Sequence, residues 1–294
     1  MTIVTIRNDA LTVGVNTRGA ELTSIRTADG AEWLWQGDPA VWAGRAPILF
    51  PVVGRNLDDN VSYGGRSYPM KIHGFARGAD FVIAEEKPDA VTLRLTDSGE
   101  TRAQFPFPFI LDVTFALTGD TLVKRAEVRN PGGEAMPVSF GFHPGFVWPL
   151  PGGKGKTHLV TLAVAEEPPT RRLGERLLYS LTDEPSVFTD GRFVPKAADF
   201  ARDAIIVAEP ASRSLTFGVD GGPEVAVGFD GLESFGLWQK PGAAYLCIEP
   251  WQGHAAVVGK GSAVEDRPGN VWIAPGAVRA FTMTVTPRPK AVRP

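Results

Sequence analysis

The chain has 294 residues, of which 43% are hydrophobic and 21% charged, and a net charge of −3. That balance suits a globular protein with a large core. It gives nucleic acid no basic patch to bind, and no apolar run approaches the ~18–20 residues a spanning helix needs. The single cysteine, Cys247, excludes an intrachain disulfide.

The opening Met1-Thr2-Ile3-Val4-Thr5-Ile6-Arg7 lacks a basic-then-apolar signal pattern, so a cytoplasmic location is expected. Residues 11–15 alternate with period two. In Asp38-Pro39-Ala40-Val41-Trp42 the aspartate is placed to cap one helical turn and the proline to start it. Residues 91–95 alternate again, and residues 109–117 and 122–128 flank Thr118-Gly119-Asp120-Thr121, which reads as a β-hairpin. Residues 214–219 alternate, and residues 280–286 form a plausible closing strand. No stretch of ten or more residues has a 3.6-residue period. Thirty-three glycines and 25 prolines punctuate the chain throughout. Short strands with turn signals between them predict an all-β sandwich or barrel of antiparallel strands. No linker interrupts them, so one domain is expected over residues 1–286, with a frayed tail over 287–294.

Several residues are candidates for chemistry. His143 lies in Phe140-Gly141-Phe142-His143-Pro144-Gly145-Phe146, and His73 precedes Gly74, which permits a turn or a close backbone approach. Either histidine could equally be a hydrogen-bonded core residue. His158 and His254 stand in polar, glycine-bearing contexts that suit a surface. Glu249 follows Tyr245-Leu246-Cys247-Ile248 and precedes Pro250-Trp251. A glutamate is rarely buried unless paired, and desolvation beside Trp251 would raise its pKa toward that of a useful base. The bland alternative is an outward-facing residue paired with an arginine. Cys247, in the same apolar run, reads as a small buried hydrophobe rather than a nucleophile. Arg55 closes the apolar run 47–54 and offers a planar fork of donors to hydroxyls or phosphate, with Arg45 and Arg77 as weaker versions. Trp238 is either a stacking surface for a sugar ring or a core aromatic. The chain holds no phosphate loop, no His-Glu-x-x-His, no Cys-x-x-Cys and no Gly-x-Ser-x-Gly, so neither a zinc site nor a serine hydrolase is expected.

In order along the chain, residues 46–55, His73-Gly74-Phe75-Ala76-Arg77, Gly141-Phe142-His143-Pro144-Gly145-Phe146 and Cys247-Ile248-Glu249-Pro250-Trp251 resemble the aldose 1-epimerase (mutarotase) family, in its LacX-like and hexose-6-phosphate mutarotase-like branch. Asp203 resembles the family's sugar-contacting aspartate, and Ile273-Ala274-Pro275-Gly276 echoes a late family element. The resemblance implies a galactose mutarotase-like supersandwich. It implies Glu249 as general base on the anomeric hydroxyl and protonated His143 as donor to the ring oxygen. His73, Arg55, Asp203, Arg77, Arg45 and Trp238 would bind substrate, with no cofactor and no metal. The expected partner is a small sugar or sugar phosphate, bound by a monomer or homodimer. Gly-Phe-His-Pro-Gly-Phe departs from the acid context of the galactose mutarotases proper, which opens the choice of sugar. A free aldohexose ranks first, a hexose 6-phosphate second, and a sugar-binding protein without turnover third.

Overall fold

The computed structural model describes residues 2–289. Antiparallel strands dominate it, in two large sheets and three small ones. The larger sheet has nine strands, ordered Arg192–Phe193, His158–Leu162, Ser214–Val219, Glu224–Asp230, Val278–Arg288, Thr121–Arg129, Ile110–Thr118, Ala90–Thr96 and Val82–Lys87. Its central strands carry the period-two pattern in their burial: along Ile110–Thr118 the odd-numbered residues are buried, and along Thr121–Arg129 the even-numbered ones. The expected hairpin joins these two, with Thr118 opposite Thr121 and Gly119 at φ 58. The closing strand is longer than expected, running to Arg288. Residues 290–294 of the expected tail lie outside the described residues.

The second large sheet carries Glu249 and His143. Its spine is Tyr245–Gln252, with Ser234–Trp238, Ile205–Val207 and Thr170–Arg171 on one side and Phe140–Phe142 and Ile48–Leu49 on the other. Gly145–Val147 pairs with the same spine strand. Along the spine, Leu246 and Ile248 point into the shared core, so Cys247, Glu249 and Trp251 point the other way. The core between the large sheets is continuous. Phe115, Ala126, Val227 and Met283 from one meet Phe140, Phe142, Leu246 and Ile248 from the other. Phe140 stacks on Phe281 across this gap at 4.9 Å and 4°.

One inward position breaks the apolar pattern. Lys124 is fully buried between Leu122 and Ala126 in the alternation. Its Nζ lies 4.6 Å from the centre of the Phe142 ring and has no hydrogen-bond partner in the protein.

Helix is scarce, as the lack of a 3.6-residue period predicts. Gly99–Arg102 makes a single α-turn, closed by a reciprocal cap between Ser98 and Thr101. The turn expected at Asp38 forms: Val41 N and Trp42 N both donate to Asp38 O, and Ala40 N donates to the Asp38 side chain. No helix among the described residues is long and apolar enough to cross a membrane.

Candidate active site

The spine strand presents Glu249 at its middle, opposite Gly236. Gly236 has to be glycine, because a Cβ there would fall 2.6 Å from the Trp251 ring that shares Glu249's face. On the other side the ladder is interrupted. Phe140–Phe142 pairs as far as Gly141 opposite Trp251, and pairing resumes with Gly145 opposite Cys247. Pro144 has no N–H to continue the ladder, and its carbonyl accepts from Ile248 N at 3.2 Å. His143 sits in this interruption, directly across from Glu249. Its Nε2 lies 3.2 Å from Glu249 Oε2, with His143 8% and Glu249 2% exposed.

Burial acts on this pair in opposite senses. It pushes the Glu249 carboxyl well above the usual carboxylate range, and the nearby Asp203 charge adds to that. It pushes the His143 imidazole well down, helped by Arg77 and Lys124. Burial thus favours the neutral form of each group in the free protein.

His73 is held by its own turn. It takes φ 65, and Gly74 takes φ 73 with its Cα so close to Phe50 that a Cβ would lie 2.2 Å from the Phe50 carbonyl oxygen. His73 N donates to Gly54 O at 3.0 Å, and Gly54 N donates to His73 Nδ1 at 3.1 Å. Accepting at Nδ1 places the proton of the neutral ring on Nε2. Burial holds this ring neutral, and the charge of His143 and the nearby arginines act in the same direction. The His73 ring meets the His143 ring edge-on at 5.7 Å.

These groups line a pocket of about 250 Å³. That volume is slightly below the usual ~300–1,000 Å³ of small-molecule sites, as suits a monosaccharide. Of the expected residues, the pocket brings together His143, Glu249, His73, Arg55, Arg77, Asp203 and Trp238. Arg45 is not among its lining: its guanidinium packs over Gly37. Arg55 forms a 3.4 Å ion pair with Asp59, while Arg77 makes no ion pair among the described residues. Asp58 pairs with Arg176 outside this lining.

Three lining residues escape a reading of the sequence. Trp42, at the end of the Asp38 turn, tilts over His143 at 5.2 Å and meets Trp238 edge-on at 5.4 Å. His254 is 9% exposed, not a surface residue, and stacks flat on Tyr179 at 4.3 Å. His158 is also buried, but far from this chemistry: its Nε2 accepts from Leu150 N, a structural bond. The Asp38 turn was visible in the sequence and could have flagged Trp42; nothing local marks Tyr179 as the partner of His254.

The pocket wall keeps unspent hydrogen-bonding capacity. His143 Nδ1, Glu249 Oε1, Trp251 Nε1 and His254 Nδ1 are buried without a hydrogen bond of good geometry among the described residues, the Trp251 indole lying close enough to Glu249 to interact with it. Buried polar atoms normally find one, so four on a single pocket suit a ligand rich in hydroxyls. Cys247 Sγ lies behind this wall, within 4.8 Å of donor atoms of both His143 and Glu249, so those three side chains could hold a metal ion.

A family model described as aldose 1-epimerase matches residues 2–272. The plasmid protein LacX of Lactococcus lactis subsp. lactis is 30% identical over 276 residues, covering 90% of this chain and 92% of its own. Among solved structures, a galactose mutarotase related enzyme from Lactobacillus acidophilus superposes with a TM-score of 0.92 at 28% identity, covering 99% of both chains. A galactose mutarotase-like protein from Lactobacillus casei superposes with a TM-score of 0.90 at 27% identity, covering 98% of this chain and all of that one. The fold is therefore the nearly all-β, galactose mutarotase-like architecture.

Proposed function

The chain belongs to the aldose 1-epimerase family, and from that premise we propose that it interconverts the α and β anomers of a free aldohexose. One observation carries the reading: a carboxyl and an imidazole 3.2 Å apart, both buried, at the floor of a monosaccharide-sized pocket. A binding protein needs partners for hydroxyls but has no need of a proton donor and acceptor held in contact.

The chemistry follows from moving one proton through that pair. A sugar entering with O1 beside Glu249 and O5 beside His143 brings hydroxyls that can solvate charge, and a proton then shifts from Glu249 to His143. Glu249 takes the proton from the anomeric O1–H. The C1–O1 bond becomes a carbonyl as the C1–O5 bond breaks, and His143 delivers its proton to O5. Rotation about C1–C2 presents the other carbonyl face. Closure runs the steps backwards, so both groups end as they began and no cofactor is consumed. His73 Nε2–H, with its tautomer set by Gly54, is placed to donate to an oxygen near O5. Trp238 and Trp42 supply apolar faces for the ring, while Arg55 and Asp203 address hydroxyls farther from C1.

A second reading, a hexose phosphate as substrate, is favoured by Arg77. It lines the pocket, is solvent-exposed, and has no carboxylate within ion-pair range. An unengaged arginine fork at a pocket mouth suits a phosphate. Anomer exchange followed by polarimetry or NMR on glucose, galactose and glucose 6-phosphate tests both. Acceleration over buffer for a free aldose is expected. No acceleration on any sugar overturns the enzyme reading; a strong preference for the phosphate that disappears in Arg77→Ala replaces the first reading with the second.

A further inference from the structure

His143, Cys247 and Glu249 each offer one metal-binding atom, all within 4.8 Å of one another and all buried. We propose that this trio is a binding site for a thiophilic divalent cation of the Zn²⁺ class, and that the bound ion shuts the pocket by occupying its acid and its base. Imidazole nitrogen, thiolate sulfur and carboxylate oxygen are the donor set that Zn²⁺ takes. Bond lengths of about 2.0–2.3 Å in a tetrahedron put neighbouring donors roughly 3.3–3.6 Å apart. The His143 Nε2 to Glu249 Oε2 distance of 3.2 Å is already close to such an edge. Cys247 and Glu249 sit two residues apart on one strand and so share a face.

Two further observations bear on a ligand here. The Glu249 carboxyl, 2% exposed, has only the nearby Trp251 indole as a side-chain donor, and Oε1 makes no hydrogen bond of good geometry among the described residues. The backbone opposite Cys247 is Gly145, where an added Cβ would sit 3.4 Å from Sγ, so the glycine leaves room beside the sulfur. The ion would reach the trio through the pocket, which His143 and Glu249 line, leaving its fourth position toward the incoming sugar. Binding converts the thiol to a thiolate: the S–H bond breaks, the sulfur lone pair fills the metal orbital, and the proton leaves to solvent, as does any proton on the carboxyl. No oxidant or reductant takes part.

Binding itself does not depend on the proposed function; only the shut-off rests on it. The chain has one cysteine, so any sulfur-to-metal charge-transfer absorption has a single source. Titrating the chelator-treated protein with Co²⁺ should give such a band, with tetrahedral visible absorption, saturating at one ion per chain. The band should vanish in Cys247→Ser, whose folding circular dichroism verifies, and an excess of a turned-over aldose should displace it. In parallel, Zn²⁺ should slow anomer exchange reversibly. Scored against its own metal-free rate, Cys247→Ser should need at least about tenfold more Zn²⁺ for half-inhibition. A silent spectrum, or a band that survives in folded Cys247→Ser, overturns the site. If Co²⁺ binds as described but no sugar is turned over, the site stands and the catalytic reading falls. If sugar is turned over and the spectrum is silent, only this inference falls.

Discussion

A carboxyl at 2% exposure is an expensive thing to keep on a strand, because ionising it without a polar partner costs several kcal/mol. Glu249→Gln should therefore leave the unfolding midpoint in urea unchanged or raised, while anomer exchange falls by about 10²–10⁴-fold. His143→Asn should cost a similar factor. Because both residues serve one proton path, the double variant should be little slower than the worse single one. Additive losses would show that the two act independently. Much at this scale was legible before the structure. A glutamate inside Tyr-Leu-Cys-Ile and Pro-Trp is a local contradiction that asks for a function, and the same holds for a histidine between Phe142 and Pro144. His254 was not legible, because what buries it is Tyr179, far away in sequence and recognisable as a neighbour only once the chain is folded. Arg45 shows the reverse: next to the right motif, yet packed over Gly37 and absent from the pocket lining.

Strand interruption and tight turn are what aim the side chains. The His73-Gly74 turn holds both residues in left-handed conformation, and Gly74 lies against the Phe50 carbonyl. Gly74→Ala should lower stability by at least about 1–2 kcal/mol from the left-handed backbone alone, with the contact to Phe50 adding to it. Since that turn also presents His73, the surviving folded enzyme should show a lower kcat. Denaturant unfolding and kinetics on one preparation check this, and a fully stable, fully active variant would show that the turn does not set the histidine. The long strands were readable because nine residues give four full periods of alternation. The pieces that build the site, Ile48–Leu49, Phe140–Phe142 and Gly145–Val147, are two or three residues long. No period can emerge from so few positions, and their place beside Tyr245–Gln252 is set by tertiary pairing.

At the scale of the molecule the odd feature is Lys124, a cation in the shared core of the two sheets. Burial pulls its pKa from 10.5 down to about 7, with Glu21 opposing weakly. Between those values the folded chain holds Lys124 neutral while the unfolded chain still binds the proton. The unfolded state thus carries more protons, and stability should rise with pH from about 7 to about 10.5, flattening on either side. Lys124→Met should remove that slope and be more stable than the parent at pH 7 by an amount on the order of a few kcal/mol. Parallel slopes for the two proteins in urea unfolding at pH 7 and 9 would count against a neutral lysine in the core. The core's apolar pattern hides Lys124 from a sequence reader, since alternation alone says which way it points but not that nothing meets it. The ring of aromatic side chains around His143 and Glu249 has a different consequence. Three of the chain's seven tryptophans, Trp42, Trp238 and Trp251, line the pocket. Intrinsic fluorescence is therefore weighted toward the one place where a ligand arrives, and a saturating sugar should change emission intensity or wavelength without any label. Trp42→Phe should shrink that signal, so the protein carries its own gauge of occupancy, readable even for ligands it does not turn over.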